Sequence, residues 1–99
     1  MAGFVQVIEI RTTKVEEIEE LLAGWLAATE GVRKAQRGTF TRDRDRPDVY
    51  VQIVEFPSYE EAMANSSLPA TGQFAKKLAE LCDAAPTFRN LDVLRVDDM

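Results

Sequence analysis

The stretch from Asp48 to Met63, Asp-Val-Tyr-Val-Gln-Ile-Val-Glu-Phe-Pro-Ser-Tyr-Glu-Glu-Ala-Met, constrains the fold more than any other part of the chain. Val49 to Phe56 is rich in β-branched and aromatic residues, the composition of a strand. Pro57 stops it. Ser58-Tyr-Glu-Glu61 then has the spacing of a capping box, in which the Ser58 hydroxyl accepts from the Glu61 amide and the Glu61 side chain reaches back. A strand that passes directly into a helix is expected near the middle of the chain. The other elements are placed around that junction.

Upstream, Phe4 to Arg11 reads as a first strand. Phe4, Gln6, Ile8 and Ile10 alternate with Val5, Val7, Glu9 and Arg11, so both faces are partly apolar. Thr13-Lys-Val-Glu16 has the form of a second capping box. The helix it opens runs to about Ala28 or Thr29, with Val15, Ile18, Leu22, Trp25 and Leu26 as its apolar stripe. Glu16, Glu17, Glu19 and Glu20 suit a solvated face near the positive end of the helix dipole. Gly31 sits where a C-terminal cap belongs. Arg33 to Arg42 reads as a weaker strand carrying Phe40, and the charged run Asp43 to Asp48 reads as a hairpin loop before the third strand.

Downstream, the helix opened at Ser58 is expected to carry Tyr59, Ala62 and Met63 inward. It falters at Asn65-Ser-Ser-Leu-Pro69, where small polar residues compete for backbone hydrogen bonds and proline removes a donor. A further helix is expected from Thr71 or Gly72 to about Ala84, with Phe74, Leu78, Leu81 and Cys82 inward, and Pro86 ends it. Leu91 to Val96 reads as the last strand and Asp97 to Met99 as a frayed tail. The order strand, helix, strand, strand, broken helix, strand is the ferredoxin-like β-α-β-β-α-β unit of an α+β domain. It predicts one domain over residues 1–99, with a four-stranded antiparallel sheet covered by helices on one face. The partly apolar strands leave the other face in need of a partner, which predicts a homodimer joined sheet to sheet.

Composition narrows the function. Of 99 residues, 45% are hydrophobic, enough for a packed core, and the net charge of −5 argues against a nucleic-acid surface. No apolar run reaches the roughly 20 residues of a membrane span, and the N-terminus lacks the basic start of a signal peptide, so a cytoplasmic protein is expected. There is no histidine. That removes Ser-His-Asp and Cys-His catalysis, histidine-ligated zinc and a proximal histidine for haem. Cys82 is the single cysteine and fits a small core residue better than a reactive thiol.

Element order, small size and the helix interruption around Ser58 to Pro69 resemble the dimeric α+β barrel superfamily, which includes the antibiotic-biosynthesis-monooxygenase-like and stress-responsive barrel domains. The resemblance covers nearly the whole chain. It implies a dimer whose sheets close into a barrel, with a ligand pocket in each subunit between sheet and helices. Some members oxidise aromatic polyketides without metal or flavin; others degrade haem, isomerise or cyclise small molecules. The haem-degrading pattern of asparagine, tryptophan and histidine is not met here, because histidine is absent and Trp25 lies on the first helix. No cofactor is therefore expected.

Candidate ligand-binding residues are Asn65 and Ser66, polar groups that interrupt an apolar helical stripe, and Gln6, an amide among apolar strand residues. Phe40, Tyr59, Phe74 and Trp25 are candidates for aromatic cavity walls. Gln52, like Gln6, is placed to project into the pocket or the dimer interface. Each also has a purely structural reading: a helix end for Asn65 and Ser66, a satisfied buried amide for Gln6 and Gln52, core packing for the aromatics. Arg42, Arg44 and Arg46 alternate with aspartates and fit a solvated loop, while Arg89 is placed for a pocket mouth. The expected function is binding of a small aromatic or apolar molecule, with cofactor-independent monooxygenation as one outcome. A non-enzymatic ligand-binding or stress-associated barrel, or a protein-interaction domain, is the alternative.

Overall fold

Residues 2–99 are described by the structure, a computed structural model. Seven elements follow in order: β1 (Phe4–Arg11), α1 (Val15–Ala28), β2 (Arg37–Arg42), β3 (Val49–Phe56), α2 (Tyr59–Ser66), α3 (Pro69–Leu81) and β4 (Thr87–Asp92). The strands form one four-stranded sheet in the order β2-β3-β1-β4, antiparallel throughout. This is the ferredoxin-like arrangement that the element order predicts.

Opposed residues in an antiparallel pair share a face, so the register sorts every strand side chain. Phe4 lies opposite Phe56, Gln6 opposite Val54, Ile8 opposite Gln52 and Ile10 opposite Tyr50. These residues form the inner face, on which the helices pack. Ile8, Ile10 and Tyr50 bury against Ile18 of α1 and Leu78 of α3, while Phe4 and Phe56 bury against Ala62 of α2. The outer face pairs Val5 with Glu55, Val7 with Ile53 and Glu9 with Val51.

Several boundaries differ from the sequence expectation, each for a local reason. Thr13 does not cap α1. Instead buried Thr12 donates its hydroxyl to Leu81 O at 2.7 Å and accepts from Lys14 N at 3.0 Å, tying the end of β1 to the end of α3. The predicted cap at Ser58 is present, its Oγ accepting from Glu61 N at 3.2 Å. Gly31 follows α1 with φ +83°, a left-handed conformation that glycine adopts without strain. β2 starts at Arg37 rather than Arg33, because its pairing with β3 begins opposite Glu55, near the end of that strand.

α3 starts at Pro69, earlier than expected: proline at a first helical position gives up only an amide that has no intrahelical acceptor. It ends at Leu81, where Asp83 N turns to donate to Arg11 O at 2.8 Å. β4 is shifted towards the N-terminus, spanning Thr87–Asp92 instead of Leu91–Val96. Asp92 already pairs with Phe4, the first residue of β1, so the strand runs out of partner. Tyr59 points outward, 51% exposed, with only its ring edge against Phe4. Among the described residues, no helix is long and apolar enough to cross a membrane.

Candidate functional site

Between the inner face of the sheet and the helices lies a cavity of about 530 Å³. Small-molecule sites commonly have this scale and an apolar lining with a few placed polar groups. Its walls come from Leu22, Trp25 and Leu26 of α1 and from Phe74 and Leu78 of α3. Its floor is the sheet, including Gln6, Phe40, Gln52 and Phe56, and Asn65 and Ser66 reach it from the end of α2.

The polar groups are few, and most are already committed. Asn65 is only 5% exposed, and its Oδ1 accepts from Lys34 N at 3.0 Å. A backbone N–H can only donate, so this bond fixes the orientation of the amide and leaves Nδ2 as its remaining hydrogen-bonding group. Ser66 donates to Ala62 O at 3.1 Å, within its own helix. Gln6 donates to Asn90 Oδ1 at 3.3 Å, across from β1 to β4. Trp25 donates its indole N–H to Thr71 Oγ1 at 2.9 Å, and its ring leans on Phe74 with centroids 6.2 Å apart. Phe40 stacks on Tyr50 at 5.6 Å and 11°.

Gln52 is different. Its Oε1 is buried and has no hydrogen-bond partner among the described residues. Buried polar atoms are nearly always paired, and one left unpaired costs free energy. The side chain lies across β2 close to Gly38, where an added Cβ would sit 3.0 Å from Gln52 Nε2. Glycine at that position leaves room for the amide, and any larger residue would push it.

Ionisable groups are nearly absent from the lining. It contains no carboxylate, lysine, tyrosine or cysteine, and its only charged residues are Arg33 and Arg37. Arg33 sits with its guanidinium 5.7 Å from the Trp25 ring centroid and donates from Nη1 to Leu26 O at 2.9 Å and to Thr29 Oγ1 at 3.2 Å. Arg37 is 3.7 Å from Glu55 and largely exposed.

Gln6, Trp25, Phe40, Asn65, Ser66 and Phe74 thus come together in one cavity. Tyr59 does not join them, because the first turn of α2 points it to solvent. Arg89 is opposite Val7 in the sheet and so belongs to the outer face, not to the cavity mouth. Gln52, weighed with Gln6 as a strand amide, also lines the cavity, whereas Arg33 was not among the candidates. The signal for Gln52 was the same as for Gln6, an amide in mid-strand among apolar residues. Arg33 had none, since its position follows from where the chain leaves α1.

Two further ionisable groups lie away from the cavity, in the hairpin and at the end of α3. Asp43 organises the hairpin: its Oδ1 accepts from Asp45 N at 2.9 Å and from Arg46 N at 3.2 Å, and it pairs with Arg46 at 2.9 Å. The Asp45 amide first, and then the Arg46 side chain, hold its carboxyl below the ordinary value. Cys82 is half-buried beside the core, and burial, with a smaller push from Asp83, raises its thiol above the ordinary value. Among the described residues no group of three or more histidine, cysteine or acidic side chains is arranged to hold a metal ion.

No family model matches the chain, and no curated protein matches it at a significant level of sequence similarity. Solved structures do resemble it. A conserved protein from Methanosarcina mazei superposes with a TM-score of 0.80 at 13% identity, covering 93% of both chains. A candidate antibiotic biosynthesis monooxygenase from Caulobacter crescentus gives 0.76 at 15% identity, over 95% of this chain and 92% of that one. SnoaB from Streptomyces nogalater, a cofactor-independent oxygenase solved as an asparagine-to-alanine variant, gives 0.76 at 18% identity, over 96% of this chain and 97% of that one. The chain therefore has the fold of these antibiotic-biosynthesis-monooxygenase-like structures.

Proposed function

We propose that this chain binds a small aromatic molecule in the cavity beneath Asn65 and acts on it as a cofactor-independent monooxygenase. One observation carries the reading: an aromatic-walled cavity of about 530 Å³ into which a few amide and hydroxyl side chains, Gln6, Gln52, Asn65 and Ser66, converge. Asn65 Nδ2 and the Gln6 amide oxygen offer a donor and an acceptor for the hydroxyl and carbonyl groups of a ligand. Trp25, Phe40 and Phe74 suit the faces of a planar ring system.

The chemistry would rest on the substrate. An electron-rich aromatic methylene compound can itself reduce dioxygen: the methylene carbon becomes a carbonyl, one oxygen atom enters the product and the other leaves as water with the two methylene hydrogens. The protein's part is to exclude water, orient the ring and hydrogen-bond the developing enolate oxygen.

The working unit in this reading is a homodimer. Helices cover only the inner face, and the outer face presents Val5, Val7, Val51, Ile53 and Leu91 around its centre. Beyond β4, Leu94 and Val96 are 95% and 59% exposed, an arrangement that a second copy would relieve.

A non-enzymatic ligand-binding barrel is the second reading, and the absence of any carboxylate, lysine or tyrosine from the lining favours it. Oxygen uptake with polycyclic phenols that carry an oxidisable ring methylene distinguishes the two. The enzyme reading expects consumption of one dioxygen per product, reduced tenfold or more in Asn65→Ala with the fold retained. Binding without oxygen uptake would leave only the ligand-binding reading.

A further inference from the structure

We propose that the ligand is bound as an anion, its charged oxygen held by Arg33 at the α1 end of the cavity; this rests on the reading of the cavity as an aromatic site. A guanidinium at the rim of an apolar cavity, with donors to spare, is a ready partner for a ligand anion. Arg33 is half-buried, and among the described residues no carboxylate lies within ion-pair distance of it. Arg37, the other charged residue of the lining, has Glu55 within 3.7 Å. Arg33 has instead the Trp25 ring and the Leu26 and Thr29 oxygens, all bonded through Nη1 or met face-on. These contacts fix the guanidinium on the cavity rim and leave Nε and Nη2 uncommitted, the donors of a fork that suits a carboxylate or phenolate.

The same lining contains no group that could take a proton near neutral pH, since Gln6, Gln52, Asn65, Ser66 and Thr71 do not titrate there. A ligand that must be ionised therefore arrives ionised, or is ionised by the pull of Arg33 alone. The cavity is accordingly a selector for planar aromatic acids over their neutral isosteres.

Trp25 is the only tryptophan and forms part of the wall, so its fluorescence reports occupancy directly. The experiment titrates the full chain with 2-naphthoate, with neutral 2-naphthamide and with a polyfluorinated 2-naphthol ionised at neutral pH. Naphthoate is expected to bind at least about tenfold tighter than naphthamide, as a charge-assisted hydrogen bond requires. In Arg33→Met, with the fold checked by circular dichroism, that ratio should fall to about one; Arg33→Lys should restore part of it and Arg37→Gln should leave it intact. Tight naphthol binding with weak naphthoate binding assigns the anion as a phenolate and upholds the proposal. Equal affinities of naphthoate, naphthol and naphthamide for the unmutated protein overturn the proposal while leaving the aromatic site standing. Failure of all three to quench Trp25 overturns both.

Discussion

Replacing Gln52 with leucine should make this protein more stable. The two side chains are similar in size, so the change removes an amide without opening a large void. The Gln52 Oε1 atom is buried without a hydrogen-bond partner, which costs about 1–3 kcal/mol relative to an atom that is paired or solvated. Leucine is also flanked there by Ile8, directly opposite on β1, and by Phe40 on β2. Part of the gain is offset by whatever Nε2 contributes at the cavity surface, so a net stabilisation of about 1–2 kcal/mol is expected. For a chain of this length that corresponds to a rise in Tm of roughly 4–16 °C. Urea unfolding followed by circular dichroism measures it, and an unchanged slope would show that the same surface is exposed in both proteins. A lower midpoint for Gln52→Leu would refute the reasoning, because it would mean that Oε1 is satisfied in the folded protein.

Two other outcomes follow from the outer sheet face and from Cys82. Sedimentation should give twice the 11.1 kDa chain mass for the unmutated protein, and Ile53→Glu should return it to one chain mass by burying an unpaired charge in the interface; a monomer at micromolar concentration in the unmutated protein contradicts the dimer. Iodoacetamide should alkylate Cys82 more slowly in the folded protein than in urea at pH 8, because burial raises the thiol above its ordinary value and leaves less thiolate; equal rates would show that the thiol is not held in the core.

Much of the fold was legible because its strongest signals are local. β1 and β3 carry their own β-branched pattern, and both ends of each, Phe4 and Arg11, Val49 and Phe56, follow from the residues themselves. The Ser58 cap is a contact between neighbours in sequence. The misplaced boundaries are those set by distant partners. Leu91 to Val96 has a strand's composition, yet β4 ends at Asp92 because β1 begins at Phe4. Thr13 has a cap's spacing, yet Thr12 is the hydroxyl in use because the end of α3 lies beside it. The cavity shows the same division. Asn65 stood out as a polar break in an apolar stripe, while Arg33 acquires meaning only when the chain leaving α1 lays it over Trp25. Tyr59 misled because helical spacing gives a face, and only the docking angle of α2 decides which residues at its first turn are covered.

The most direct test of the central claim is a nuclear magnetic resonance titration of labelled protein with a hydroxylated naphthoic acid, following the side-chain amides of Gln6, Gln52 and Asn65 and the Trp25 indole. Saturable shifts at all four groups, with the outer-face residues Val7 and Ile53 unmoved, are the predicted result. Shifts confined to the outer face, or none at saturating ligand, would contradict the assignment of this cavity as the functional site.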